Sequence, residues 1–338
     1  SKPMRDRSFL LAKTYLPRRA DVLRRLLCLF FLAITGSTAQ VSAQEMNGFD
    51  LKDSLIPVTQ INFGGPDKDG IPSIDKPDFL SAGFAAFLRN NDQVLGLTSG
   101  TVARAYPLRI LNWHEVVNDR IGTNPVVITF CPLCGTGVAF DARVDGRALS
   151  FGVSGLLYNS DVLLYDRQTN SLWSQLLGQA ISGPLKGRRL TMLPLTHTTW
   201  ADWRKAHPAT QVLSTHTGTV RPYMRDPYDG YEKTEDLMFP VQFRAVGFHP
   251  KERVLGIRID GRTKAYPFVE LGKTSGEFVD RIGDTVLTIR FDRNALRATA
   301  HGSDGQQLAA VVGYWFAWYA FNPGTEVFRA GESAKPRQ

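Results

Sequence analysis

Two cysteines three positions apart offer the clearest chemistry in this chain. They form Cys131-Pro132-Leu133-Cys134-Gly135, directly after the apolar stretch 126–130. A Cys-x-x-Cys followed by glycine is the shape of a zinc knuckle, in which a turn aims two thiolates at one metal. A structural site needs four ligands, and the sequence has no second knuckle. His114, in Asn112-Trp113-His114-Glu115, is the nearest candidate third ligand. Two thiolates and an imidazole would leave one coordination position open, and soft thiolates favour Cu(I) or Zn. The same pair could instead be a redox dithiol, or a small disulfide between Cys131 and Cys134 that braces a turn. The run Gly135-Thr136-Gly137 makes a poor start for the helix of a thioredoxin-like site. Haem attachment is excluded, because it needs histidine where Gly135 stands.

A second group of polar residues lies between apolar runs in 151–175: Asn159, Ser160, Asp161, Asp166, Arg167 and Trp173. These six are candidate pocket residues. Read without the rest of the chain, Asn159-Ser160-Asp161 is equally a turn, and Asp166-Arg167 a surface ion pair of small worth. No nucleophile elbow, phosphate loop or His-Glu-x-x-His motif occurs. His197, His207, His216, His249 and His301 are scattered and read as surface or core.

The elements that must position these residues come from a duplication. VLGLTSGTVARAYPLRIL at 94–111 matches VLGIRIDGRTKAYPFVEL at 254–271. Asp119-Arg120 matches Asp280-Arg281, and WADWRKAHPATQVL at 200–213 matches WFAWYAFNPGTEVF at 315–328. The second copy is the shorter. It places Asp292 where the first copy has Cys131, so only one copy carries the thiols. Period-two alternation at 126–130, 162–165 and 286–291 predicts strands. Asp-Gly pairs at 145, 229, 260 and 304 mark tight turns. The spacing predicts helices over 199–206 and 314–321, each with tryptophans three apart facing the core, and another over 109–117. The fold class is mainly β (α+β), built from internally duplicated β-rich units with a few short helices. The expected organisation is an extension over 44–90, a first unit over 91–220 with the Cys-x-x-Cys, a linker over 221–253, and a shortened second unit over 254–330.

The chain has 338 residues and a formal net charge of +8. Residues 1–25 hold eight basic and two acidic side chains, so +6 of that charge sits there. A short apolar stretch (26–34) and small residues follow, with Val41 and Ala43 suited to cleavage. Segment 1–43 therefore reads as a secretory signal, and the protein as periplasmic or secreted. Cys28 lies in that apolar stretch, which leaves Cys131 and Cys134 as the cysteines beyond the signal. With the basic charge confined to the signal, no nucleic-acid partner is expected. Membrane attachment would come only through an uncleaved signal.

The segments NWHEVVND, VVITFCPLCGTGVAFD, FGVSGLLYNSDVLLYDRQTNSLWSQ and YWFAWYAFNPGTEVF resemble the family of domains of unknown function numbered 3179. The resemblance covers roughly 50–330. It implies an exported or membrane-attached prokaryotic protein and no established activity. It also implies recurring positions at His114, Cys131, Cys134, Gly155, Asn159, Ser160, Asp161, Asp166, Arg167 and Trp173.

Three readings of function follow. The first is a protein holding Cu or Zn on His114, Cys131 and Cys134, with a metal-transfer partner or an unidentified small molecule. The second is a thiol–disulfide redox protein. The third is a module binding a small polar ligand, braced by a disulfide.

Overall fold

In the computed structural model the described residues are 44–332, so the expected signal over 1–43 lies outside them. They are mainly β with four short α-helices. Among them no helix is long and apolar enough to cross a membrane.

The first unit begins after β1 (Ile61–Phe63) with the hairpin β2 (Gln93–Ser99) and β3 (Val102–Pro107). Helix α1 (Leu108–His114) leads into a meander of β4 (Val116–Ile121), β5 (Asn124–Cys131) and β6 (Thr136–Asp141). An insertion follows: β7 (Phe151–Tyr158), β8 (Asp161–Asp166), β9 (Leu172–Ser174) and β10 (Gln179–Ser182). The unit closes with β11 (Thr196–Thr199), α2 (Trp200–Ala206) and β12 (Gln211–Leu213).

The second unit repeats this order without the insertion. Its hairpin is β13 (Arg253–Ile259) and β14 (Arg262–Pro267), followed by α3 (Phe268–Leu271). The meander β15 (Glu277–Ile282), β16 (Thr285–Asp292) and β17 (Arg297–Gly302) comes next. Then come β18 (Val311–Tyr314), α4 (Trp315–Phe321) and β19 (Glu326–Val327).

Pairing is the same in both units. β2 runs antiparallel to β3 and β11, and β3 parallel to β12. β13 likewise runs antiparallel to β14 and β18, and β14 parallel to β19. The small contacts repeat too. Trp203 Nε1 donates to Thr210 Oγ1 at 2.9 Å, and Trp318 Nε1 to Thr325 Oγ1 at 3.0 Å. Each tryptophan lies against the glycine of its own unit's first strand, Gly96 or Gly256, where a Cβ would collide with the ring. The tryptophans are therefore core, as the sequence indicates.

The units exchange partners. β18 of the second unit pairs with β6 of the first at Val312–Gly137, and Tyr314 N donates to Cys134 O at 2.8 Å. Reciprocally, Thr199 N of the first donates to Ala295 O of the second at 3.1 Å. Thr199 corresponds to Tyr314 and Ala295 to Cys134, so these two bonds are one interaction made twice, as a two-fold relation requires.

The helix expected over 109–117 ends at His114. Glu115 caps it in the left-handed region, with φ 59°. β-branched Val116 and Val117 then pair with Thr129 and Ile128. Sheet pairing of β-branched residues outweighs a further half-turn of helix.

Candidate metal centre

The strand β5 ends at Cys131, and β6 begins at Thr136, so the Cys-x-x-Cys is the turn between two paired strands. Cys134 N donates to Cys131 O at 3.2 Å, which closes the turn and puts both side chains on one side. Gly135 has φ +62°, and a Cβ there would press on the Tyr314 ring at 3.0 Å. That position needs both the conformational freedom and the missing side chain of glycine.

The third component comes from the insertion. β7 and β8 form a hairpin with Tyr158 opposite Asp161, so Asn159 and Ser160 are its two-residue loop. Both have positive φ, 50° and 65°, as the type I′ turn requires. Such a tip is ordinarily solvated, yet here Asn159, Ser160 and Asp161 are buried. Asn159 Oδ1 accepts from Gln242 N at 2.7 Å, and its Nδ2 donates to Ala320 O at 3.3 Å. The tip is thus clamped from two sides and pushed against the cysteine turn. The Cys134 thiol donates to Ser160 O at 3.3 Å, with Cys131 at 3.7 Å from the same oxygen.

As a result Cys131 Sγ, Cys134 Sγ and a carboxylate oxygen of Asp161 lie within 4.8 Å of one another. All three residues are buried, and both cysteines are free thiols. Leu176 N donates to Asp161 Oδ2 at 3.1 Å and orients the carboxylate. Behind it Gln175 holds Thr136 and Thr129 through bonds of 2.8 and 2.9 Å. The Ser160 hydroxyl is buried without a hydrogen-bond partner.

Burial governs the electrostatics. It pushes the Asp161 carboxyl up to about 7 and raises both thiols. The negative charge of Asp161 raises the thiols further. Glu115 is raised to about 8, first by burial and then by Asp161. Three acidic groups within reach of one point, all held toward their protonated forms, fit a cation that replaces their protons. An apolar cavity of about 230 Å³ reaches this region, with Glu115 and Leu133 in its wall.

His114 is not in the group, which corrects the expected ligand set. It is fully buried, with Nδ1 2.6 Å from Pro72 O and Nε2 2.6 Å from Tyr223 Oη. Both ring nitrogens are thereby used, and Asp161 takes the place assigned to the imidazole. Of the six candidate pocket residues, Asn159, Ser160 and Asp161 reach the centre. Asp166 instead accepts from Trp173 Nε1 at 2.9 Å and closes the turn at Thr169. Arg167 pairs with Asp75 at 2.9 Å near the surface. None of the six lines the apolar cavity.

Glu115 was not singled out from sequence. Its signal is the duplication: Phe130 N bonds Glu115 O at 2.8 Å, and Phe291 N bonds Gly276 O at 2.6 Å. Glu115 thus occupies a left-handed position where its counterpart is glycine, and a glutamate there is strained.

The fold and site define a duplicated β protein with a thiol–carboxylate centre in one half. The chain belongs to the family described as protein of unknown function (DUF3179), whose model matches residues 68–309. Searches of curated proteins and of solved structures gave no match.

Proposed function

We propose that this is an exported metal-binding protein whose centre is Cys131, Cys134 and Asp161, and that the metal is Zn(II). The buried convergence of two thiols and a carboxylate within 4.8 Å carries this reading. The carboxylate selects between the two metals, since a hard oxygen beside two sulfurs suits Zn(II) better than Cu(I). Three protein ligands leave a fourth position for water, a substrate or a receiving partner. Glu115, buried and raised to about 8 chiefly by that burial, is a candidate proton store near the centre. A redox dithiol fits less well. Complete burial raises both thiols, whereas a redox cysteine needs exposure and a lowered pKa.

Elemental analysis of chelator-free protein from the periplasm tests the reading. About one zinc per chain is expected, absent from the Cys131→Ser, Cys134→Ser double variant and weakly held by Asp161→Asn. Ligand protons leave on binding, so affinity rises with pH. Metal-free protein with two titratable thiols that takes up no zinc would overturn the assignment. Recovery of the full chain with 1–43 intact from the cytoplasm would overturn export.

A further inference from the structure

A separate cleft adjoins the cysteine turn. Pro132 and Gly135 line a cleft of about 400 Å³ together with residues of both units. Among the described residues five buried side-chain polar atoms lack a hydrogen-bond partner, and three of them belong to residues that line this cleft. They are His197 Nδ1, Arg253 Nη1 and Tyr231 Oη, the last facing the Met238 backbone N–H and so lacking an acceptor for its own proton. Buried polar groups without partners are costly and rare, so three around one cavity call for a ligand that satisfies them.

Each group specifies part of that ligand. His197 is 3% exposed, and its Nε2 lies 2.6 Å from Gln93 Oε1. An amide oxygen accepts, so Nε2 carries the proton and Nδ1 is left a bare acceptor in a residue of the cleft wall. Burial, with the Arg253 charge, keeps the ring neutral by holding its pKa well below the usual value. Nδ1 therefore calls for a donor on the ligand. Arg253 makes none of the ion pairs found among the described residues. Its guanidinium and the Tyr231 hydroxyl are donors and call for an oxyanion. The rim also holds three other arginines and four acids, a net charge of −1 before Arg253 is counted. The desolvated groups are the ones that discriminate.

The duplication supports a built site. Arg253 and Gln93 are equivalent residues, each starting the first strand of its unit and pairing with the end of β18 or β11. In one copy this position orients His197, and in the other it supplies the cation. One cleft thus draws two different functions from one repeated position.

We propose that the cleft binds a small hydroxycarboxylate, with the carboxylate on Arg253 and Tyr231 and the hydroxyl donating to His197. Titration calorimetry on the full chain with lactate, propionate and methyl lactate tests it. Lactate binds one to one. Propionate, which lacks the hydroxyl, and methyl lactate, which lacks the charge, each bind at least about tenfold more weakly, because each leaves a buried group unpaired. Tyr231→Phe removes one hydroxyl with little change in shape and weakens lactate, while Arg253→Gln abolishes binding. Circular dichroism establishes that each variant is folded. Equal affinity for lactate and propionate, lactate binding unchanged in folded Arg253→Gln, or no lactate binding by the intact protein would overturn the proposal. The site is independent of the metal centre: lactate binding persists in the double cysteine variant even if zinc is never found.

Discussion

At the residue scale, His114 separates closeness along the chain from closeness in space. The sequence brings it to mind as a ligand because it lies in the same unit as the thiols, but the helix that carries it turns it toward Pro72 and Tyr223. His114→Gln should keep full metal content while losing stability, by about 1–3 kcal/mol for a disrupted buried hydrogen-bond pair. Elemental analysis and urea denaturation check the two halves. The histidine also sets a pH dependence. Burial lowers its pKa from the ordinary 6.5, so the folded state resists protonation. Its contribution is present above pH 6.5 and is lost as pH falls toward the folded value. Wild-type stability should decline below pH 6.5 with a slope that His114→Gln reduces. The cysteine turn, by contrast, was legible, because two soft ligands after a strand have few uses. Asp161 was visible as a candidate pocket residue and not as a metal ligand. Its role depends on a hairpin tip being buried, and no local pattern announces that.

At the element scale, alternation and turn chemistry served well for the strands and for the two tryptophan helices. Thr199 caps α2, its side chain accepting from Asp202 N. The limit fell at α1, where apolar spacing continues past His114 but strand pairing claims Val116 and Val117. The tryptophan helices also fix the spacing of their units. Gly96 and Gly256 let an indole ring lie on the backbone of a strand. Gly96→Ala and Gly256→Ala should each destabilise the protein by about 1–3 kcal/mol through overpacking. Urea midpoints of the two variants, which should be close to each other, check this. A much smaller loss in one would show that its helix shifts freely and that the copies pack differently. The insertion β7–β10 has no counterpart in the second unit and supplies Asp161. The centre is thus assembled from a turn present in both copies and an element found in only one.

At the scale of the whole molecule, each unit is completed by the other. β18 pairs with β6, and its Tyr314 N takes the Cys134 carbonyl, while Thr199 binds Ala295 in return. A chain cut after residue 250 would uncover the Gly137 end of β6, whose residues 139–141 stay paired with 191–193, and leave the Cys134 carbonyl without its donor. Residues 44–250 expressed alone should therefore lack cooperative unfolding, and co-expression with 251–332 should restore it. A sharp urea transition in the isolated first half would contradict this. Sequence comparison of the two copies revealed the duplication, but the exchange of partners rests on pairings between residues far apart in the chain.

Joining the two copies in one chain has a consequence for how the centre could arise. Two identical separate subunits would have to change every residue in pairs, so Cys131 and Cys134 would appear twice or not at all. With a covalent link, one copy can acquire reactive side chains while its twin keeps the plain turn from Asp292 to Ala295. The twin then acts as a partner that holds the altered copy in shape while only one side carries the thiols.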